Sequence, residues 1–141
     1  MCAASNHATV YVDGCYKENG QAGCGVFWGK DDKRNQAIKL QMPQTNHTAE
    51  IAGAVEAMKQ ALDSGINYLT IVTDSDATIE YWTGDRDVPK EGDEPLRHWV
   101  TKMRAFKQKP LSVTWGRVEG HSGHEGNEQA NRLARKGAGL A

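Results

Sequence analysis

No stretch of this sequence approaches the roughly 20 consecutive apolar residues that a membrane span needs, and its opening, MCAASNHATVYVDG, lacks the basic-then-apolar order of a secretory signal. Together the two absences point to a cytoplasmic location. Cysteine is scarce: Cys2, Cys15 and Cys24 are an odd set without a CxxC pair, which argues against both a disulfide framework and a zinc site and leaves them as small, partly buried thiols. The tripeptide Asn46-His47-Thr48 has the form of a glycosylation sequon, but in a cytoplasmic chain that is a chance match. Internal repeats and low-complexity segments are also lacking. With 141 residues, 38% hydrophobic and 25% charged, the expectation is one compact domain, with residues 1–7 as a flexible tail.

Net charge is small too, -1 at neutral pH, yet it hides a division. Up to Pro95 there are 8 Lys/Arg against 15 Asp/Glu, and from Leu96 onward 9 against 3. An acidic body with a basic C-terminal third suits a polyanion lying across part of the surface, although ordinary solvated faces would give the same count.

The hydrophobic pattern predicts a β-β-β-α-β-α-α-β-α string. TVYVDG, GCGVFWG and NQAIKLQM read as three sequential strands with Gly-rich or charged turns, an antiparallel meander. The period then changes: Ile51, Val55, Met58 and Leu62 fall on one helical face, with Asn46 or Thr48 as the expected N-cap and Gly65 as the stop. NYLTIVTDSD reads as a central strand buried on both faces, followed by a short helix from Ser75 to about Trp82. After a polar loop, TGDRDVPKEGDEP, the residues Leu96, Trp99, Val100, Met103 and Phe106 recur at helical spacing. LSVTWGRV is the fifth strand. The last helix is expected to start near Ser122, where Ser122-Gly123-His124-Glu125 fits a capping box, and to end around Gly137.

Three acids sit where these elements begin or end: Asp13, Glu50 and Asp74. In an α/β sheet the ends of central strands form the ligand crevice, so acids placed there can converge. Singly, each has a local explanation as a turn residue, a helix-dipole partner or a cap. Converging carboxylates are neutralised most naturally by a divalent metal, and hard oxygen ligands suit Mg²⁺ or Mn²⁺ rather than zinc.

The segments YVDG, TNHTAEIAG, VTDSD and GHSGHEGNEQANRLA, in this order and spacing, resemble the type 1 ribonuclease H family, which cuts the RNA strand of RNA/DNA hybrids. The resemblance runs along nearly the whole chain. It implies an α/β, RNase H-like fold, a five-stranded mixed sheet with three antiparallel strands then parallel strands, flanked by helices. It also implies a monomeric endonuclease with two Mg²⁺ or Mn²⁺ ions about 4 Å apart when substrate is bound. Asp13 is then expected to bridge both ions and Glu50 and Asp74 to hold the leaving-group side, giving 5′-phosphate and 3′-hydroxyl ends. By the same resemblance His121 lies on a mobile loop and assists water positioning, proton transfer or product release, work that suits an imidazole at neutral pH.

Asn131 departs from the pattern, which has an aspartate there as the fourth acid of the site; Asn127 matches an asparagine. An amide still offers one carbonyl oxygen to a hydrated ion, but a charge and an oxygen are lost, so weaker metal binding is expected on the nucleophile side. This keeps a second class of function open, a hybrid-binding module with little or no turnover.

Recognition of an RNA strand requires contacts to successive 2′-hydroxyls. The resemblance assigns these to Gly14, Cys15, Tyr16, Glu18, Asn19, Asn46 and Asp76, of which Tyr16, Glu18 and Asp76 differ from the family's smaller or neutral residues, and it places Thr45 at a DNA-strand phosphate. Many members also carry a basic, tryptophan-containing protrusion before the third helix. Here that segment is short and acidic, and Lys102, Arg104, Lys107 and Lys109 are the expected substitute; a solvated helix end is the plainer alternative. A domain cut from a retroelement polymerase, or a related fold acting on DNA alone, would share much of this pattern. The GHSGH loop, Asn19 and Asn46 argue against the latter.

Overall fold

A computed structural model describes residues 6–41, 43–120 and 123–140. The strands are β1 (His7–Tyr16), β2 (Ala22–Phe27), β3 (Gln36–Lys39), β4 (Tyr68–Thr73) and β5 (Ser112–Arg117). The helices are α1 (Asn46–Asp63), α2 (Asp76–Thr83), α3 (Glu94–Arg104) and α4 (Glu125–Gly137), with a 3₁₀ turn at Ala105–Gln108 after α3. The sheet has the order β3-β2-β1-β4-β5; β1–β2 and β2–β3 are antiparallel and β1–β4 and β4–β5 parallel. This is the mixed RNase H-like sheet expected.

β1 begins at His7, inside the stretch expected to be a tail. Asn6 is already tied down, its carbonyl accepting from the Asn67 and Tyr68 N–H groups and its own N–H donating to Asn67 Oδ1 at 3.0 Å. The parallel register His7↔Tyr68 follows from this.

The N-cap of α1 is Thr45, one residue before the expected positions. Thr45 Oγ1 accepts from the Thr48 N–H at 3.2 Å while Thr48 Oγ1 accepts from the Thr45 N–H at 2.7 Å, a reciprocal box with threonine in the usual Glu/Gln position. Gly65, at φ 73°, closes the helix in the left-handed conformation that glycine tolerates. Ile51, Val55 and Met58 are buried as the periodicity predicts. With Val10, Val12, Leu69, Ile71, Val100 and Met103 they form the main core between the sheet and helices α1 to α3. Each such side chain contributes roughly 1.5–3 kcal/mol.

The other face is covered only in part. Along β2, Cys24 and Val26 point to the α1 side, while Gly23 and Gly25 let the α4 backbone approach: a Cβ at Gly25 would lie 2.3 Å from Ala130 O. Contacts of α4 run over β1, β2 and β3, which corrects the expectation for β4. Leu69, Ile71 and Thr73 are buried, but Tyr68 is 47% exposed and Thr70 and Val72 are half-buried.

α4 starts at Glu125, later than expected, with His124 as N-cap and no side-chain cap. Gly123, at φ 83°, turns the chain just before it, and Glu125 and Glu128 answer the helix dipole instead. Ser122 of the expected capping box lies outside the described residues.

Candidate active site

The parallel pairing of β1 with β4 sets the ends of the two central strands side by side, and α1 crosses the β1 end. Asp13 lies in β1, Glu50 in the second turn of α1, and Asp74 just beyond β4, ahead of the Ser75 N-cap of α2. One carboxylate oxygen from each lies within 4.8 Å of the others. Gly14 makes this approach possible: a Cβ there would fall 2.4 Å from Ala49 C and Glu50 N. A larger residue would push α1, and Glu50 with it, off the strand.

Asp13 is 3% exposed and Glu50 9%. Asp13 Oδ1 accepts from the Gly14 N–H at 2.9 Å, and Asp13 Oδ2 accepts from Asn131 Nδ2 at 2.9 Å. Among the described residues, Glu50 Oε2 is buried without a hydrogen-bond donor. Burial, first, and then the charges of Asp13 and Asp74 and a hydrogen bond with Asp13 hold the Glu50 carboxyl well above the usual carboxylate range, against the opposing Gly14 N–H. A buried acceptor with no donor, facing two further carboxylates, is the environment a divalent cation relieves. These three residues can hold one.

The Asn131 amide faces Asp13 with its nitrogen, the only orientation a carboxylate tolerates at that distance. Its carbonyl is therefore not the group turned to Asp13. One turn earlier Asn127 is 3% exposed and its Oδ1 has no donor among the described residues. Along this side of α4 amides stand where a fourth carboxylate would complete the cluster. His121 lies outside the described residues. Its neighbour Gly120 abuts the site, since a Cβ on it would lie 2.9 Å from Asp74 Oδ2.

A cleft of about 340 Å³ opens beside the acids, lined by Asn46, His47, Glu50, Asp74, Asp76 and Arg86 among others. Asn46 and Asp76, expected at the substrate, are thus brought to Glu50 and Asp74. Asp76 is bound to Arg117, whose Nε donates to Asp76 Oδ1 at 2.9 Å; this guanidinium holds the Asp76 carboxyl below the usual range. Asn19 lies elsewhere, bonded to the Gln21 side chain and N–H and lining a different concavity with Lys39 and Gly139. Gly14 abuts Glu50, Cys15 and Tyr16 are half-buried at the end of β1 with Glu18 exposed just beyond, and the Thr45 hydroxyl is engaged in the α1 cap.

The expected cation cluster is not uniform. Arg104 Nε donates to the Tyr81 carbonyl at 2.8 Å and ties α3 to α2. Lys102 and Lys107 lie over the Trp99 and Trp82 rings at 5.2 and 4.9 Å, and Lys109 is exposed after the 3₁₀ turn. Sequence reasoning missed His47 and Arg86 on the cleft. Arg86 sits in a loop counted as acidic and pairs with a glutamate six residues back, a spacing that follows no helical or strand period.

A family model described as RNase H matches residues 5–139. The chain belongs to the RNase H family. It is 38% identical to human Ribonuclease H1 over 92% of this chain and 49% of that protein. It is 32% identical to Ribonuclease H of Cupriavidus metallidurans over 92% and 93% of the two chains. The chain thus spans about half the length of the mammalian relatives it matches. Its fold superimposes on the N-terminal RNase H domain of a Mycobacterium tuberculosis protein, solved as a fusion with maltose-binding protein, with a TM-score of 0.73 at 21% identity, covering 92% and 97% of the chains. Among the described residues no helix is long and apolar enough to cross a membrane.

Proposed function

We propose that this domain engages RNA/DNA hybrids across the acidic cleft and carries a metal-dependent ribonuclease site that Asn131 weakens. The observation that carries the reading is the Asn131 amide on Asp13 beside an otherwise assembled acidic trio. Asp13, Glu50 and Asp74 would hold Mg²⁺ or Mn²⁺, two ions once substrate is present. When bound, such ions stabilise the charge that builds on the phosphate and lower the pKa of water.

The chain's own residues do the rest. Gly14 fixes the spacing between Asp13 and Glu50. The Asn131 N–H orients the Asp13 carboxylate without adding charge, so the site would hold an ion less tightly than one with a carboxylate at this position. Asn46 at the N-terminal end of α1, with Asp76 and the end of β1 (Gly14, Cys15, Tyr16), meets the 2′-hydroxyls that separate RNA from DNA. Lys102, Lys107 and Lys109 take the DNA strand's phosphates, and Thr45 contacts one of them from the start of α1. His121 moves a proton at its imidazole. The products are 5′-phosphate and 3′-hydroxyl ends, and the domain works as a monomer in the cytoplasm.

Fluorescence anisotropy with a labelled hybrid, a duplex DNA and a duplex RNA of one sequence tests this, in Ca²⁺ to suppress cleavage. Tighter binding of the hybrid than of either duplex is expected. Equal affinity for all three would remove the hybrid from the proposal.

A further inference from the structure

The acidic cleft has one wall unlike the others. Among its described lining residues the basic groups are His47 and Arg86, and both sit against Tyr81: the His47 ring is edge-on at 6.5 Å, and the Arg86 guanidinium is 5.6 Å from the ring centre. Arg86 comes from the shortened loop after α2. Its Nε and one terminal nitrogen donate to the same carboxylate oxygen, Glu80 Oε1, at 3.1 and 2.7 Å, while the two side chains are 42% and 41% exposed. One guanidinium edge is thus lightly held. Arg117, the nearby cation bound to Asp76, differs: it is committed to Asp76, to Glu119 and to the Val118 carbonyl.

We infer that Arg86 is a phosphate-positioning residue of the cleft, exchanging Glu80 for a backbone phosphate of the strand that lies across Glu50 and Asp74. The inference rests on the reading of the cleft as a nucleic-acid site. Three observations converge on it. A polyanion entering this cleft meets Glu50, Asp74 and Asp76, and among the described lining residues the charge of opposite sign is that of Arg86, on the Tyr81 wall. An exposed ion pair is a weak competitor, because solvent screens it and two mobile side chains must be ordered to make it. A guanidinium presents a planar fork that matches two phosphate oxygens, and the Tyr81 ring beneath it limits the directions it can take. Glu80 then acts as a placeholder that holds Arg86 at the cleft until phosphate arrives.

The two partners of the pair should therefore move hybrid affinity in opposite directions, which a merely structural ion pair would not do. Hybrid binding is measured by anisotropy in Ca²⁺ across a series of salt concentrations, with melting curves to verify folding. Arg86→Ala is expected to weaken binding roughly tenfold at low salt and to lower the slope of log affinity against log salt by about 0.9, the share of one phosphate contact. Arg86→Lys should keep the salt slope and lose part of the affinity, since a point charge remains without the fork. Glu80→Gln should tighten binding. If the unmodified chain binds hybrid and Arg86→Ala leaves affinity and slope unchanged, or Glu80→Gln weakens binding as Arg86→Ala does, the assignment of Arg86 falls and the hybrid reading stands. If the unmodified chain binds no hybrid, both fall.

Discussion

Replacing Asn131 with aspartate turns a hydrogen bond into a like-charge contact, and the cost is calculable from the structure. The amide nitrogen lies 2.9 Å from Asp13 Oδ2, and a hydrogen bond to a charged group contributes about 1.5–3 kcal/mol, nearer the lower figure at a half-buried site. Two carboxylates with charge centres about 4 Å apart repel by roughly 4 kcal/mol at an effective dielectric of 20, and partial exposure and side-chain movement cut this to about 2 kcal/mol. Metal-free Asn131→Asp should thus lose about 3.5 kcal/mol, on the order of 11 °C in Tm for a domain of this size. A divalent cation should offset most of this loss, because the new carboxylate would add a ligand. At 100 times its dissociation constant, an ion restores about 2.7 kcal/mol. Thermal unfolding by circular dichroism, in EDTA and in Mg²⁺, should show a large metal-induced rise for the variant and a smaller one for the parent. Equal Tm values in EDTA, or an equal response to Mg²⁺, would refute the placement of Asn131 beside Asp13 in a metal site.

Gly14→Ala places a methyl group 2.4 Å from the α1 backbone; overpacking of this kind costs about 1–3 kcal/mol, and the Mg²⁺-induced Tm rise should shrink because Glu50 moves with α1. A variant with parental Tm and metal response would contradict that packing. Thr45→Ala removes the α1 cap and should cost about 1 kcal/mol, read as a shift in the urea midpoint, whereas Thr45→Ser should retain most of it. Burial, then the charges of Glu56 and Glu50, pushes the Cys24 thiol from 9.0 up to about 12. Iodoacetamide at pH 8 should therefore modify half-buried Cys15 well before Cys24, by peptide mass spectrometry, and early labelling of Cys24 in folded protein would count against its burial. The folded thiol pKa is raised, so its contribution to stability is complete below about pH 9 and is lost as pH climbs toward 12.

Much of this was legible in the sequence because hydrophobic period and turn chemistry agreed with the tertiary fold. The α1 face of Ile51, Val55 and Met58 and the strands around Asp13 and Asp74 needed no long-range information. What was not legible depended on partners distant in sequence. The exposed face of β4 depends on how far α4 reaches across the sheet, and that reach is set by Gly23 and Gly25 two strands away. The strand start at His7 depends on Asn67. Of the site, the three acids could be found by position at strand and helix ends, but nothing local shows that the Asn131 nitrogen faces Asp13. Arg104 looks like its lysine neighbours in sequence; only the Tyr81 carbonyl, 23 positions away, shows that its guanidinium is committed to structure.

Cleavage of an end-labelled RNA/DNA hybrid in Mg²⁺ and in Mn²⁺, with this chain run beside Asn131→Asp and Asp13→Asn, tests the central claim most directly. Slow cutting of the RNA strand by the chain as it stands, cutting at least roughly tenfold faster by Asn131→Asp, and none by Asp13→Asn is the expected result. Failure of Asn131→Asp to cut the RNA strand in either metal would contradict the account.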